Sequence, residues 1–488
     1  MINSKITKYI LLKNKYTDGF FNIGAANGFL PLKNPLTSLP NKYNKLQYIL
    51  DNMPVELENG SEGFLAIPNK IEKEVRELEN YKEIVNDEND VFVVQALFRG
   101  YCFLASAYTL ESSYQEFVKT KKYGKARNIL PSQISQPLSI VAKKLDVYPW
   151  LEYHYAYSLG NYKVLDNSDN LDWSNLDQCV KFSGKKDEAG FIMNHVDINQ
   201  YSPKLVESVL ESINAVKIGD SQQINFWLEE NYKSMIKVNE RRKEMWVASR
   251  WKNYNDFRIF IMGIKGNEEI FGKGLIYEGV SKKPMQYRGQ TGAQDNIIPM
   301  QDIFSGVIDF YPKNELTKYL LDLRTYRPKC IQEFFIDLEK ETTQNKGNLI
   351  FNHLIESTNS TGLIYLLAIV EEIYKFRNGH WQFVQKYIMS NTKYSKATGG
   401  TPIISWIPNQ IKAVLNYIKI LVDNISSLPN STDHKAIKIY NESKEKIDLK
   451  IKLLNNQLQI VKQDNYNAGK VFELNQKYKL QDVNLEKK

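Results

Sequence analysis

The sequence has few cysteines and few histidines, and both are scattered along the chain. Of 488 residues, three are cysteines and five are histidines. The cysteines, Cys102, Cys179 and Cys330, form no CxxC pair, so the sequence predicts neither a disulfide framework nor a zinc cluster. This pattern fits the reducing cytoplasm. The histidines show no HxH or HExxH spacing, and a bare metal ion held by several imidazoles is therefore not expected.

Long apolar runs are also missing. No stretch approaches the ~18 consecutive apolar residues of a membrane-spanning helix, and the four-residue apolar run near the amino terminus is too short for a signal peptide. The apolar segment that starts at Val91 is interrupted by Arg99 and Glu111, and its aromatic and small residues favour a helix buried in protein. We therefore expect no membrane partner.

A strong excess of charge of one sign is absent as well. The net charge is +8, from 64 basic and 56 acidic residues, and the two signs are interspersed. A nucleic-acid-binding face needs clustered basic residues, so we expect no nucleic-acid partner. The hydrophobic content of 42% and the charged content of 25% are ordinary for a globular protein.

Helical periodicity is the main pattern that the sequence does contain. Apolar residues recur every three or four positions in most long segments, and no set of alternating strand-like segments and no internal repeat is present. The sequence therefore predicts an all-α class. The length of 488 residues predicts two or three domains.

The most informative segment is 362–388, which we predict to be one helix. Its apolar positions have the spacing of a buried face: Leu363, Leu366, Val370, Ile373, Trp381, Val384 and Ile388. His380 lies on that face, and a neutral imidazole there is able to bind a metal centre from the interior. The alternative is a core histidine with a satisfied hydrogen bond. A haem needs only one or two protein ligands, so a histidine-poor chain can still be a haem protein.

A glycine-rich stretch lies between residues 272 and 292. Its glycines permit positive φ and a close approach of the backbone to a ligand: Gly272, Gly274, Gly279, Gly289 and Gly292. No GKS or GKT follows them, so a nucleotide-binding P-loop is not predicted.

The carboxyl-terminal segment has a different pattern. Tyr440, Ile447, Leu454 and Val461 recur every seven residues, which is the spacing of a coiled-coil seam. We favour a tail helix that packs against its own core over a contact between subunits, which leaves a monomer or a tail-mediated oligomer open. The polar segment 462–488 is predicted to be partly disordered.

Several ordered segments carry a resemblance to a known family. They are FRNGHWQFVQKYI, GLIYEG, YRGQTGAQ followed by DIF, RIFIMGIKG, ATGGTPIISW and ILPSQISQPLSIVAKKLDVYPWLEYHYAYSLGNY. Together they resemble the indoleamine 2,3-dioxygenase family, haem enzymes that open the indole ring of tryptophan, over about residues 27–420. The resemblance implies a two-domain helical haem dioxygenase fold. Its parts would be a small amino-terminal helical domain (1–130), a connecting region (131–180) and a large helical haem-binding domain (181–424). The helical, partly disordered tail (425–488) lies outside the resemblance.

The resemblance also implies a haem b cofactor and the residues around it. His380 matches the proximal ligand of the haem iron, which leaves the opposite face free for dioxygen. Arg377 matches an arginine near a haem propionate, where a guanidinium suits a carboxylate; a surface salt bridge is the alternative. Gly289 belongs to the family's loop over the distal face of the haem, and we expect it beside the cofactor.

Other matching positions imply a site for an indole amino acid. Arg258 matches the arginine that pairs with the substrate carboxylate. Tyr254 lies four residues earlier, where the related tryptophan 2,3-dioxygenases have a tyrosine, and is predicted to add a hydroxyl donor; the alternative is a tyrosine on the helix surface. Thr398 matches a mobile-loop threonine that closes on the substrate, and Gly399 and Gly400 would allow that loop to close.

The distal side departs from the family pattern. His195 stands where indoleamine enzymes carry serine and tryptophan 2,3-dioxygenases carry a histidine that contacts the indole N–H. It is our candidate for that catalytic contact, because a neutral imidazole nitrogen accepts a hydrogen bond; the alternative is an exposed histidine near a helix start. Gln290, Thr291 and Gly292 are expected beside the substrate. By the same resemblance, His154 and Tyr157 stand where the family has a tyrosine and a cysteine in the distal pocket wall.

The reaction implied by the resemblance is cleavage of the indole C2–C3 bond of L-tryptophan, or of a close indole derivative, by dioxygen. Both oxygen atoms would enter the product, N-formylkynurenine, and a reductant would be needed to keep the haem ferrous. One alternative is a haem-dependent monooxygenase or rearrangement enzyme of the same superfamily. Another is a haem-binding protein without catalysis, or a helical scaffold.

Overall fold

The computed structural model describes residues 15–166, 168–313, 315–344, 347–389, 396, 398 and 403–462. Within these ranges the protein is built from α-helices, and its strands are two or three residues long and form three separate two-stranded pairs. The predicted all-α class is confirmed. The predicted partial disorder of 462–488 falls on residues that, after Lys462, lie outside the described part of the chain. The predicted domain boundaries stay a prediction.

The helices of the amino-terminal half are α1 (Asn44–Asn52), α2 (Lys70–Glu77), α3 (Lys82–Asp87), α4 (Val91–Thr120), α5 (Ser132–Lys144), α6 (Lys186–Asn199), α7 (Ser202–Ile218), α8 (Ser221–Lys243) and α9 (Met245–Ala248). Those of the carboxyl-terminal half are α10 (Asn255–Arg258), α11 (Glu268–Phe271), α12 (Ile297–Ser305), α13 (Glu315–Arg324), α14 (Lys329–Thr342), α15 (Leu349–Glu356), α16 (Ser360–Val384), α17 (Ile403–Ser426) and α18 (His434–Lys462).

The strands are much shorter than most of the helices. They are β1 (Ile129–Leu130), β2 (Tyr162–Val164), β3 (Leu176–Gln178), β4 (Ile276–Tyr277), β5 (Thr343–Gln344) and β6 (Gly347–Asn348). β1 pairs with β4 in parallel, whereas β2–β3 and β5–β6 are antiparallel. The parallel pair joins the chain after α4 to the segment after α11.

Helix α4 is the core of the amino-terminal half. It is capped by Asp90, whose side chain accepts hydrogen bonds from the N–H groups of Phe92 and Val93. By length and composition it is the one helix in the described ranges that could cross a membrane, but 89% of its most apolar window is buried inside the protein. Arg99 is buried within it and donates to the carbonyls of Gly160 and Leu36. The prediction of a helix buried in protein is confirmed.

Helix α16 is the predicted central helix, and the side chain of Asn359 caps its start by accepting from the N–H of Gly362. All seven predicted apolar positions are buried. The burial extends beyond that face, because Ile364, Leu367 and Ile369 are also buried and α16 packs against α8, α17 and α18. The last turn of the predicted helix is a π-helical turn, Gln385–Met389.

Two helix boundaries differ from the sequence prediction. The helical pattern of residues 190–216 in the sequence predicts one long helix, but the structure has two, α6 and α7, and Pro203 stands in the first turn of α7. Proline is tolerated there but cannot continue a helix from α6, since it has no N–H to donate. His195 therefore lies in the second half of α6, not near a helix start. The sequence also predicts a last helical region that begins near Ile411, whereas the corresponding helix α17 begins at Ile403 and contains Pro408.

The tail helix α18 packs on the core of its own chain. Ile447 and Leu454 of the predicted seam are buried, and α18 contacts both α16 and α17. The Nε1–H of Trp381 donates to Gln457 Oε1 at 3.0 Å. Lys450 Nζ lies 2.6 Å from Glu371 Oε2, and both side chains are buried. The seam is thus used within the chain, next to the helix that carries His380.

We expect Lys450→Met to destabilise the protein strongly, because it leaves the carboxylate of Glu371 buried without its cation. Breaking a buried ion pair from one side costs about 3 kcal/mol in the free energy of unfolding, which urea unfolding followed by circular dichroism measures. The matched control is Lys419→Met, since Lys419 pairs with Asp448 at an exposed site and should change stability by less than about 0.5 kcal/mol. Equal effects of the two substitutions would contradict the inward packing of the tail.

Candidate functional site

A cavity lies between α6, α8, α16 and the segment that leads into α12. Its volume is about 260 Å³, just below the range of about 300–1,000 Å³ that is usual for ligand pockets, and part of it is open to solvent. Eight of the residues singled out from the sequence line it: His195, Tyr254, Gln290, Thr291, Gly292, Arg377, His380 and Thr398. Arg258 and Gly289 are not among the lining residues.

The imidazole of His380 is exposed, and the space it faces is this cavity. None of the described residues forms a hydrogen bond with it, so it is not the hydrogen-bonded core histidine of the alternative interpretation. Burial of the ring within the protein, with a smaller contribution from Arg242, lowers the pKa of His380 to about 4. The imidazole is therefore neutral at physiological pH, and a neutral nitrogen is the form that binds a metal.

Arg377 lies about one turn before His380 and is buried. Its Nη2 lies 2.5 Å from Asp302 Oδ2 and also donates to the hydroxyl of Tyr311. The alternative of a surface salt bridge is therefore wrong. Within the described part of the chain, Arg377 Nη1 and Asp302 Oδ1 are buried without a hydrogen-bond partner. An unpaired buried donor on a guanidinium is costly, and a carboxylate of a bound ligand would satisfy it.

Arg242 is a lining residue that the sequence analysis missed. Its guanidinium packs on Gly379, where an added Cβ would lie 2.0 Å from Arg242 Nη1. The glycine next to His380 therefore admits a second guanidinium beside that imidazole. The available signal was the glycine of the FRNGH segment, since a glycine inside a helix often marks a close approach.

The charge of the cavity wall favours an anionic ligand. Four arginines and two acids line it: Arg242, Arg324, Arg327, Arg377, Asp295 and Asp302. Arg324 pairs with Glu339 outside the lining set. Arg327 donates to the side-chain amide oxygen of Asn296 and to backbone carbonyls, including that of Asp295. Burial together with Arg324 lowers its pKa to about 9. The excess of guanidinium groups suits a ligand with two carboxylates.

Tyr254 lines the cavity and is buried, so it is not a tyrosine on the helix surface. Burial raises the pKa of its hydroxyl to about 12, although the neighbouring guanidinium of Arg258 opposes this. Arg258 itself is fully buried. Its Nη2 donates to the carbonyl of Lys396 at 2.7 Å, and its Nη1 donates to the hydroxyl of Tyr123 at 3.1 Å. Arg258 thus lies behind Tyr254 as seen from the cavity lining.

Thr398 closes one side of the cavity. Its Oγ1 donates to the carbonyl of Gln290 at 3.1 Å, and its own carbonyl accepts from the N–H of Gly263 at 2.9 Å. The loop segment at Lys396 and Thr398 is thus docked on the site. The prediction that Gly399 and Gly400 let this loop move lies outside the described residues.

The glycine-rich stretch acts in two ways. Gly272, Gly274 and Gly279 have positive φ, as the glycines were predicted to permit, whereas Gly289 and Gly292 are not in that group. Gly289 is instead required by a close backbone approach, because a Cβ there would lie 2.4 Å from the backbone N of Gly263. It supports the loop from behind, and its predicted contact with the cofactor stays a prediction.

Of the residues predicted for the distal side, His195 lines the cavity. Neither His154 nor Tyr157 is among the lining residues, and both are buried. They belong to a π-helical turn, Tyr153–Tyr157, which Glu152 caps by accepting three backbone N–H groups. A π turn changes which side chains share a face, and here Tyr153 is the residue whose hydroxyl reaches His195. The predicted placement of His154 and Tyr157 in the pocket wall is therefore not what the structure shows.

The residues of the cavity fit a haem. In the described ranges no group of three or more His, Cys, Asp or Glu side chains is placed to hold a metal ion, whereas haem iron needs one imidazole. His380 presents that imidazole in neutral form, and Arg242 and Arg377 flank it. Much of the remaining lining is apolar, including Ile298, Val384 and Ile388.

Comparison with known proteins agrees with this site. The indoleamine 2,3-dioxygenase family model matches residues 18–436. The chain is 23% identical over 401 residues to indoleamine 2,3-dioxygenase 1 of Rattus norvegicus, covering 77% of this chain and 89% of the relative. It is 24% identical over 413 residues to indoleamine 2,3-dioxygenase nanC of Aspergillus nanangensis, covering 78% and 89%. A shorter match, 27% identical over 140 residues, covers 29% of this chain and 35% of a myoglobin of Haliotis madaka.

The family match extends over most of the chain, from the amino-terminal helical half to the start of the tail helix. It includes both walls of the cavity and the helix that carries His380. The all-α architecture and the neutral imidazole of His380 on the cavity wall are consistent with it. The chain belongs to the indoleamine 2,3-dioxygenase family and is a haem-dependent dioxygenase of that type.

Proposed function

We propose that this enzyme cleaves the indole C2–C3 bond of L-tryptophan, or of a close indole derivative, with dioxygen to give N-formylkynurenine. One observation carries the proposal. A single cavity brings together His380, whose imidazole has no hydrogen-bond partner among the described residues, a second neutral imidazole, His195, and Tyr254, which contacts Arg258. This set provides a metal ligand, an acceptor for an indole N–H and donors for a carboxylate.

Haem b is the cofactor in this proposal. His380 would hold its iron, and Arg377 and Arg242 would pair with its propionates. When bound, the haem supplies an iron that binds and activates dioxygen. A reductant would be needed to bring the iron to the ferrous form, and the cytoplasm is the proposed compartment. Whether the enzyme acts as a monomer or as a tail-mediated oligomer stays open in the proposal.

The chain's own residues orient the substrate and exclude water. Burial lowers the pKa of His195, although Asp295 opposes this, so the imidazole is neutral and able to accept the indole N–H. Tyr254 and Arg258 would hold the carboxylate, and Thr398 would close over the amino-acid end. Phe383 and Phe191 stand in the wall between these groups, with ring centroids 5.9 Å apart, and keep water away from the indole.

The product tests the proposal directly. The reduced holoprotein is titrated anaerobically with L-tryptophan and then exposed to ¹⁸O-labelled dioxygen. The molecular mass of the product is measured by mass spectrometry. We expect a product that has gained two labelled oxygen atoms. A gain of one atom would instead identify a monooxygenase, and tryptophan recovered unchanged after repeated cycles would contradict both.

A protein that binds haem and oxygen without turnover is the second candidate. The observation in its favour is the match to the Haliotis madaka relative, which is named a myoglobin. The match covers 29% of this chain, whereas the matches to named dioxygenases cover 77% and 78%. A stable oxygen complex that persists in the presence of tryptophan would favour this candidate over the dioxygenase.

We expect Tyr254→Phe to raise the KM for L-tryptophan by about tenfold to 100-fold, with little change in kcat, because the loss of one hydrogen bond to a charged group costs about 1.5–3 kcal/mol. The reason is that the phenol lines the cavity beside Arg258 and, among the described residues, forms no hydrogen bond with His380, the predicted iron ligand. Steady-state kinetics measures the change, and Tyr365→Phe is the control because its hydroxyl bonds to Asp433 near the tail. A fall in kcat with unchanged KM would contradict a carboxylate-binding role for Tyr254.

A further inference from the structure

Three buried side chains form a chain of hydrogen bonds that starts at His195. The hydroxyl of Tyr153 lies 3.2 Å from His195 Nδ1 and 2.9 Å from Asp295 Oδ2. Asn199 Nδ2 donates to the same carboxylate oxygen at 2.7 Å, and the N–H of Ile297 donates to the other oxygen at 2.9 Å. Asp295 therefore receives three hydrogen bonds.

The count of protons decides the direction of each bond. An ionised carboxylate only accepts hydrogen bonds, and a tyrosine hydroxyl has one proton to donate. Burial, followed by the charge of Asp295, raises the pKa of Tyr153 well above its usual value, so the phenol keeps its proton. That proton goes to Asp295. Toward His195 the phenol oxygen is then an acceptor, and His195 Nδ1 must carry the proton of that bond.

The other nitrogen of His195 is left as an acceptor. A neutral imidazole with a proton on Nδ1 has a lone pair on Nε2. No residue in the described part of the chain hydrogen-bonds to Nε2, and His195 lines the cavity. A Cβ at Gly292 would lie 3.5 Å from His195 Cε1, so Gly292 lies beside the ring edge next to Nε2 and places no side chain there.

The ring is also held in orientation. The Phe191 and Tyr153 rings pack edge-on to it, with centroids 5.7 Å and 5.5 Å away. Asn199, about one turn after His195 on α6, donates both to the His195 carbonyl at 2.8 Å and to Asp295. The end of α6 is thereby tied to the loop that carries Asp295, and the imidazole has little freedom to flip.

We propose that Tyr153 and Asp295 are positioning residues that hold His195 in the Nδ1–H tautomer and thereby make the cavity selective for indoles with a free N–H. The inference rests on the proposed function for the identity of the ligand. The tautomer itself rests on the hydrogen-bond chain alone. Neither residue was singled out from the sequence, because nothing local to Tyr153 or Asp295 shows that they meet.

The tautomer of His195 is the first test. The holoprotein is labelled with ¹⁵N-histidine and studied by NMR in its diamagnetic ferrous, carbon monoxide-bound form; with five histidines in the chain, His195→Gln identifies the signals of His195. We expect a protonated Nδ1 and an unprotonated Nε2 in the wild type. Tyr153→Phe and Asp295→Asn should each remove this preference.

Tyr155→Phe is the matched control. Tyr155 is an equally buried tyrosine in the same π-helical turn, and its hydroxyl donates to another carboxylate, that of Asp18, away from the cavity lining. Its replacement should leave the His195 signals unchanged. A wild-type His195 protonated on Nε2, or a tautomer that survives Tyr153→Phe, would overturn the proposal. If Tyr153→Phe does not accumulate as a folded haem protein, the His195 signals of the wild type and of Asp295→Asn test the proposal instead.

Ligand selectivity is the second test. In Tyr153→Phe we expect the preference for L-tryptophan over 1-methyl-L-tryptophan, measured as the ratio of Kd values in a spectral titration, to fall about tenfold, the worth of one well-formed hydrogen bond. In Tyr155→Phe the ratio should not change. If tryptophan binds with this preference but is not cleaved, the proposed reaction fails while the positioning role stands. An unchanged ratio in Tyr153→Phe overturns the positioning role whatever the product is.

Discussion

Replacement of His380 by alanine is expected to remove the protein's bond to the haem iron and to reduce dioxygenase activity to background. In the described part of the chain no other histidine shares this helix, and no cluster of metal-ligating side chains offers a substitute. The absorption spectrum of the purified variant and its rate of product formation measure the effect. We expect the Soret band to be weakened or shifted, because the cavity remains but its imidazole does not.

Two further variants make this result specific. His380→Gly leaves space at the same wall, and added imidazole should partly restore the Soret band of the wild type. His434→Ala is the control, since His434 is exposed at the start of α18 and its loss should change neither spectrum nor activity. A His380→Ala protein with an unaltered five-coordinate haem spectrum would end the assignment of His380 as the iron ligand.

Replacement of Arg258 by leucine is expected to lower kcat/KM for L-tryptophan by about 100-fold or more. Loss of one partner of a buried charge pair costs about 2–5 kcal/mol, and each 1.4 kcal/mol is about tenfold. In the structure the guanidinium donates to the carbonyl of Lys396 and to the hydroxyl of Tyr123. A substrate carboxylate would replace the Lys396 carbonyl, so we expect carboxylate binding to be linked to a movement of the chain at Lys396.

The substrate itself supplies the internal control. Tryptamine has the same indole but no carboxylate, and Arg258→Leu should affect its binding by less than about threefold. Arg288→Leu serves as the control variant, because Arg288 pairs with Asp322 and is not expected to contact the substrate. Equal losses for tryptophan and tryptamine would mean that Arg258 supports the fold rather than the carboxylate.

A large part of the site could be predicted from residue order. Helix α16 carries His380 and Arg377 at the predicted positions, and the seven apolar positions before and after them are all buried. Eight of the ten predicted site residues line one cavity: His195, Tyr254, Gln290, Thr291, Gly292, Arg377, His380 and Thr398. The periodicity of apolar residues predicts a helix from the local sequence alone. The grouping of distant segments around one site was predictable because the motifs resemble those of a known family.

Other parts could not be predicted because they depend on how distant segments meet. Because residues 153–157 form a π-helical turn, Tyr153 contacts His195, whereas the sequence predicted His154 and Tyr157 in the pocket wall. A segment of five residues is too short for its periodicity to reveal such a turn. Arg242 reaches His380 only because Gly379 leaves room for it on a different helix. Arg258 has the predicted sequence position but lies behind Tyr254.

By itself the sequence determined the all-α class, the family and the helix that presents a lone imidazole, because the spacing of apolar residues and the order of motifs are properties of the chain alone. Only the tertiary structure decided which polar groups share hydrogen bonds around that cavity. The contacts of Tyr153 with Asp295 and of Lys450 with Glu371 join residues far apart in sequence. Such partners are selected by burial, since a buried polar group must find a donor or acceptor wherever the packing of helices brings one within reach.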